Sequence, residues 1–372
     1  LRELGQDDTD SSGSRKIHLP AVETVTRVAY FVHGRGKGHA IRSLAVLERL
    51  RGLHHVRLFY TGDAREMLDQ LPACEEIPIC APGKGMVSAF ARRFWSDRER
   101  FRHWPPNLVV SDGDGPSVNA ARSLGIPVIS IGHGLIFWHT HLGAELSPPQ
   151  RLREALNVAS SSWPAARRIA VHFAPVEPRT AGTRVARPDL RPGRRPGATR
   201  EDFILAYFRD DDGGPALEQL ARRGHRVVLF GRPAWAPRGV EVHPPGVESF
   251  GEALSRCRAV VASAGGQLNA ECAMLGRPML ALHRRGDAEQ EMNSRLVEAA
   301  GIGIGAALER CTPEVIRRFE AELDKPRDAL AARTRAMRPV SEVALQVIEE
   351  LCGGTAGVRG SSEAAEGRES CL

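Results

Sequence analysis

Short apolar, β-branched runs alternate with longer stretches of helical periodicity along most of this chain. In the first half, strands are predicted at residues 27–32, 56–60, 108–111, 128–131 and 168–173, with helices over 39–51 and 117–124. The second half repeats the scheme, with strands at 203–208, 226–230, 259–262 and 278–282. Helices over 215–223, 250–257, 267–275 and 289–300 fall between or after them, and a last long helix is predicted over 326–351. Strands that are apolar throughout and separated by helices form parallel sheets covered on both faces. The fold class is therefore α/β, with two doubly wound domains. Such sheets bind ligands at the carboxyl ends of their strands, so a cleft between the domains is the expected site.

The expected boundaries are a disordered tail at 1–24, an N-terminal domain at 25–175, an Arg/Pro-rich linker at 176–200, a C-terminal domain at 201–352, and a second tail at 353–372. A length of 372 residues suits two cores better than one. No apolar run reaches the roughly 20 residues that span a bilayer. The polar first 20 residues lack the basic start and apolar centre of a signal peptide. A cytoplasmic location is the resulting expectation, with peripheral membrane contact left open. Seven cysteines without a CxxC pair point away from a disulfide frame and a structural zinc site. The net charge of +6 is carried largely by arginine, much of it between Arg179 and Arg200. A solvated linker explains that stretch, and a polyanion-binding strip is the alternative. The overall basic balance fits anionic small substrates or membrane headgroups; nucleic acid is not expected.

The strand at 27–32 runs into His33-Gly34-Arg35-Gly36-Lys37-Gly38-His39, where a helix begins. Glycines allow a sharp turn and a close approach to a ligand, and free amides at a helix start favour an anion. The spacing is GxGxGH, and His39 stands where a dinucleotide fingerprint would place its third glycine. A neutral imidazole facing a cleft from a helix start can take a proton from a hydroxyl. The alternative is a histidine that only packs or caps. At the end of the strand at 108–111, Asp112 is a candidate to orient His39, while Asp114 reads as a helix cap. Asp112-Gly113-Asp114 also has the form of a DxD metal motif. That motif belongs to a single-domain nucleotide fold, so no metal ligands are assigned. The acidic run 210–212 reads as a solvated loop.

In the second half, the strand at 259–262 ends in Ser263-Ala264-Gly265-Gly266-Gln267 and opens a helix that carries Glu271. Small residues there expose amides to a diphosphate. Glu271 is a candidate to accept both hydroxyls of a ribose, against the simpler reading of a surface acid supporting the helix dipole. The helix at 289–300 opens with Glu289 and Gln290, and Gln290 shares a face with Asn293. In the loop before it, Arg284 and Arg285 are candidates to neutralise phosphate.

The ordered set Gly34-x-Gly36-x-Gly38-His39, Ser263-Ala264-Gly265-Gly266 with Glu271, and Glu289-Gln290-x-x-Asn293 resembles the GT-B glycosyltransferases related to MurG. Segments 34–42, 109–112, 124–130 and 289–294 carry the nearer resemblance, which spans about residues 26–305. The resemblance implies two Rossmann-like domains across a cleft and metal-independent, inverting transfer from a nucleoside-diphosphate sugar, most often UDP-linked. The nucleotide sugar is then a co-substrate, and no cofactor is implied. It implies nucleotide contacts from Ser263, Ala264, Gly265, Gly266, Gln267, Glu271, Glu289, Gln290 and Asn293. Acceptor binding falls to the N-terminal domain, with His39 as the base and Asp112 beside it. Gly36, Lys37, Gly38 and His133 lie near the acceptor or phosphate, and a last helix packs back across the cleft. Arg35 and Lys37 stand where smaller residues are usual, as grips for an anionic acceptor or a phosphate. The acceptor stays open among a glycolipid, a polysaccharide and a small natural product. A non-hydrolysing UDP-sugar epimerase and a non-catalytic nucleotide-sugar-binding protein are the rival readings.

Overall fold

The computed structural model describes residues 25–34, 37–80, 85–142, 147–208, 213–232 and 237–362. The predicted tail at 1–24 and the acidic run 210–212 lie outside the described residues. Two sheets organise the rest. The first has seven strands: β1 Arg27–Val32, β2 His55–Tyr60, β3 Cys74–Glu76, β4 Leu108–Asp112, β5 Val128–Gly132, β6 Arg167–Val171 and β7 Thr183–Ala186. Their spatial order is β3-β2-β1-β4-β5-β6-β7. The second has six: β8 Ile204–Tyr207, β9 Val227–Phe230, β10 Val240–His243, β11 Ala259–Ser263, β12 Met279–His283 and β13 Gly303–Ala307, in the order β10-β9-β8-β11-β12-β13. The strand pairs are parallel throughout both sheets.

In each sheet the chain winds outward from a central strand, then returns to that strand's other side. The reversals fall between β1 and β4 and between β8 and β11. Crossovers leave on opposite faces at such a point, so a crevice opens at the carboxyl ends of those strands. The central strands are buried on both faces. One face of the first sheet packs Val28, Tyr30 and Leu58 against Val46, Leu47 and Leu50 of the helix Lys37–Leu50. The other packs Ala29, Phe31 and Val109 against Phe101 and Val118.

Several elements depart from the sequence expectation. The last helix is two helices, Asp328–Ala336 and Val340–Ser362, with Met337 extended between them. Pro339 explains the break: its ring disfavours helical backbone at the residue before it and removes a donor. The break lets the chain cross over. Leu330 belongs to the core of the second domain, whereas Val340, Val343, Val347 and Ile348 belong to the core of the first. The first domain is thus completed by the end of the chain, and the helix continues through residues assigned to the 353–372 tail; the part beyond 362 lies outside the described residues.

The Arg/Pro stretch is only partly solvated: Arg179, Arg195 and Arg200 are exposed, but other residues pack. Residues Thr183–Ala186 form the seventh strand, Arg187 Nε donates to Met337 O at 3.0 Å, and Arg194 is 5% exposed. Arginine can be packed this way because its fork satisfies several carbonyls at once while its stem covers apolar surface. The 18-residue helix Met86–His103 was not predicted, because charges interrupt its apolar face; Arg93 and Asp97, both buried, pair across that face at 3.1 Å.

Candidate functional site

The turn after β1 is fixed by backbone contact. Gly34 N donates to Thr61 Oγ1 at 2.7 Å, and a Cβ on Gly34 would lie 1.5 Å from Thr61 O. Only glycine lets the turn sit this close to the end of β2. Arg35 and Gly36 lie outside the described residues. Lys37 opens the helix, and Gly38 has open space where a Cβ would point.

His39 stands in the first turn of that helix, and β4 delivers Asp112 beside it. His39 Nδ1 lies 2.6 Å from Asp112 Oδ1. Asp112 is fully buried and also accepts from Arg42 Nε at 2.8 Å, from Arg42 Nη2, and from Ser43 Oγ at 3.1 Å. Burial alone would raise its pKa, but Arg42 and then His39 outweigh it and hold the carboxyl at about 2. Arg42 is buried too; its own desolvation is overcome by Asp112, with further help from Tyr30 and from Glu289 of the other domain, so its pKa is raised.

An ionised Asp112 on Nδ1 selects the tautomer that carries its proton there. The other nitrogen, Nε2, is left with a lone pair and, among the described residues, no hydrogen-bond partner. Gly113 lies close to the ring: at φ +82°, an added Cβ would sit 3.1 Å from His39 Cε1. The imidazole is thus gripped at one nitrogen and one edge, while the side chain keeps 29% exposure. Arg42 and Ser43 completed this cluster without being singled out from sequence. The available signal was helical spacing, since Arg42 is three residues from His39 and shares its face.

Asp114 caps the helix Gly115–Ser123 as expected, accepting from Ser117 N at 3.1 Å, and faces Arg93 at 3.4 Å. Asp112 and Asp114 are therefore held by different arginines. They do not converge as a DxD metal pair would.

On the opposite lobe, β11 ends at Ser263 and the helix Gly266–Leu275 starts after Gly265 with no side-chain cap. The first amides of a helix have no partner within it, so this uncapped start offers donors to an anion. Asn293 fixes the turn, donating from Nδ2 to Ala264 O at 3.1 Å. Its Oδ1 meets His133 Nε2 at 2.7 Å, and His133 Nδ1 donates to Val171 O at 2.8 Å. His133 follows β5 in the first domain, and Asn293 lies in the second. The two lobes therefore meet at their carboxyl edges, and His133 packs against the helix start, 3.6 Å from where a Gly266 Cβ would be.

Other residues named from the sequence are placed differently. Gln290 turns back on its own helix, with Nε2 donating to Asp287 Oδ2 at 3.0 Å. Glu289 is exposed on the same first turn, as are Arg284 and Arg285 in the preceding loop. Glu271 is fully buried, and its carboxylate is already taken. Arg191 Nε and Nη2 each donate to it at 2.6 Å, and Arg194 Nε lies 3.5 Å away. Gln267 Nε2 donates to Asp189 O at 3.2 Å, which draws the interdomain segment alongside the helix start. Sequence reasoning expected an open carboxylate at Glu271 and missed both arginines, because they lie in the stretch read as solvated.

The profile of a family described as "Glycosyl transferase family 1" matches residues 85–324. Among solved structures, MurG of Acinetobacter baumannii is similar at 19% identity and a TM-score of 0.62, covering 87% of this chain and 99% of that one. The glycosyltransferase SnogD from Streptomyces nogalater is similar at 18% identity and 0.58, covering 88% and 99%. A UDP-GlcNAc 2-epimerase from Neisseria meningitidis is similar at 16% identity and 0.56, covering 88% and 100%. These likenesses bear on the fold, which is the two-domain GT-B arrangement expected from the sequence. A comparison with curated protein sequences finds no match.

Proposed function

Because the chain belongs to glycosyl transferase family 1 and is a glycosyltransferase, we propose that it moves a sugar from a nucleoside-diphosphate sugar, most readily a UDP-sugar, to an acceptor hydroxyl with inversion and without a metal. The observation that carries this reading is the His39–Asp112 pair, whose Nε2 has no hydrogen-bond partner among the described residues, at the reversal point of the first sheet. His39 Nε2 takes the proton of the incoming hydroxyl as oxygen bonds to the anomeric carbon. Asp112 stabilises the imidazolium that forms, and Arg42 keeps Asp112 ionised.

The leaving nucleoside diphosphate rests on the uncapped amides at 266–268, where the positive end of the helix dipole offsets its charge. Attack from the N-terminal lobe and departure toward the C-terminal lobe place nucleophile and leaving group on opposite sides of the anomeric carbon. That arrangement favours inversion. The contact between His133 and Asn293 holds the lobes together at the rim of the cleft.

His39→Ala is expected to lower kcat by about 10²- to 10⁴-fold while nucleotide binding changes little. Turnover equal to wild type would remove His39 from the role of base. A UDP-sugar isomerised with no acceptor present would instead support epimerisation, the activity named for the Neisseria structure.

A further inference from the structure

We propose that Arg191, carried by the segment between the domains, is a donor-triggered latch: at rest it covers Glu271, and it leaves that carboxylate to bind the diphosphate of the incoming nucleotide sugar. The inference rests on the nucleotide-sugar reading given above. Three observations lead to it. First, Glu271 is fully buried beneath Arg191, whose fork engages both of its oxygens at 2.6 Å, and Gln267 Nε2 also donates to Oε1 at 3.4 Å. A ribose cannot use Glu271 until Arg191 moves. Second, Arg191 is the outer member of the cluster: its side chain is 21% exposed, whereas those of Glu271 and Arg194 are completely buried. Arg191 can therefore swing out while the other two stay.

Third, a replacement counter-ion is already in place. Arg194 spends only Nη1, on Pro192 O at 2.9 Å and Val247 O at 3.2 Å. Its Nε and Nη2 are buried without a hydrogen-bond partner among the described residues, and Nε stands 3.5 Å from Glu271 Oε1. Unmet buried donors are costly, and a small approach by Glu271 would satisfy them. Departure of Arg191 thus leaves Glu271 paired with Arg194 and still able to accept from hydroxyls through its remaining lone pairs.

The destination of Arg191 is set by proximity and charge. The bond from Gln267 to Asp189 O holds this segment against the first helical turn. Glu271 lies five residues, about 7.5 Å along the axis, from the helix start at Gly266, a span comparable to one extended arginine side chain. A diphosphate there offers more negative charge than one carboxylate, and its oxygens match the guanidinium fork. A nucleoside without phosphates gives Arg191 nowhere to go. The latch therefore makes the site respond to the diphosphate before the ribose.

The test is calorimetric titration of the full chain with matched nucleosides and nucleoside 5′-diphosphates: uridine and UDP, thymidine and dTDP, guanosine and GDP. Wild type should bind one diphosphate and its nucleoside far more weakly. In Arg191→Ala that diphosphate should bind at least about tenfold more weakly, and the nucleoside severalfold more tightly because Glu271 is uncovered. If Arg191→Ala does not fold, Arg191→Gln serves, since a shorter, uncharged side chain cannot reproduce the fork on both Glu271 oxygens, and a divergence of the same direction but smaller size is expected. Equal weakening of nucleoside and diphosphate, or no change in either, overturns the latch while leaving the nucleotide-sugar reading intact. Failure of wild type to bind any diphosphate overturns that reading and the latch together.

Discussion

At the scale of single residues, the site depends on one buried carboxylate that serves both an imidazole and a guanidinium. Asp112 fixes the tautomer of His39 and neutralises Arg42. Removing its charge leaves a buried guanidinium unpaired, so Asp112→Asn should lose about 3–5 kcal/mol of stability as well as turnover. The pH dependence follows in sign. Asp112 is held at about 2, below its ordinary value of 3.8, so its stabilising contribution is fully present above about pH 4 and is lost as pH falls through about 2. Urea midpoints measured from pH 5 downward should fall over that window in wild type, with a shallower slope in Asp112→Asn. An identical slope in both proteins would show that Asp112 is not held low. His39 was readable from its GxGxGH spacing and Asp112 from its place at a strand end. Their pairing required the β1–β4 register that sets Val32 beside Asp112.

At the scale of elements, the end of the chain matters more than its position suggests. The helix Val340–Ser362 inserts Val343, Val347 and Ile348 into the core of the first domain, beside the helix that carries His39. Ile348 is completely buried, so Ile348→Ala should destabilise that domain by about 2–5 kcal/mol, visible as an earlier first transition in denaturant. A loss confined to the second domain would contradict this docking. The surface pair between Arg184 and Glu350 on the same helix is exposed, and its removal should change stability by less than about 1 kcal/mol. The strands missed from sequence share physical causes. β3 and β10 lie at sheet edges, where one side needs no burial and charged residues are tolerated, as in Cys74-Glu75-Glu76. β13 contains Gly303, whose missing Cβ would sit 1.8 Å from Met279 O. Close backbone approach there overrides the low strand preference of glycine.

At the scale of the whole molecule, the two lobes touch where the chemistry is proposed to occur. Asn293 is bonded to the donor-side turn through Ala264 O and to the acceptor-side lobe through His133. Asn293→Ala should leave His133 Nε2 without its partner and loosen both the turn and the closure. The expected result is a fall in kcat/KM for the donor of about tenfold or more, with helix content unchanged by circular dichroism. Full activity in this variant would mean that the contact is incidental to closure. Among the described residues, no helix is long and apolar enough to cross a membrane. Ile136 and Phe137, apolar neighbours in the N-terminal half, are core: both are buried in the cluster built mainly by the second domain.

Periodicity in the sequence was enough to place the strands and helices that bear His39, Asp112 and Glu271, whereas the charge-interrupted helix Met86–His103 and the edge strands were not legible from it. Glycines mark where the chain must turn tightly at a strand end. These are short-range properties, set by backbone sterics and by the need to bury one face of each element. The tertiary structure alone decided which long-range partners the charged groups take. Arg42 completes Asp112, Arg191 and Arg194 enclose Glu271, and the last helix closes the first domain. A polar side chain far away in sequence carries no periodic signal of its own. Its partner is fixed by where the folded backbone puts it and by the cost of leaving a buried charge unpaired.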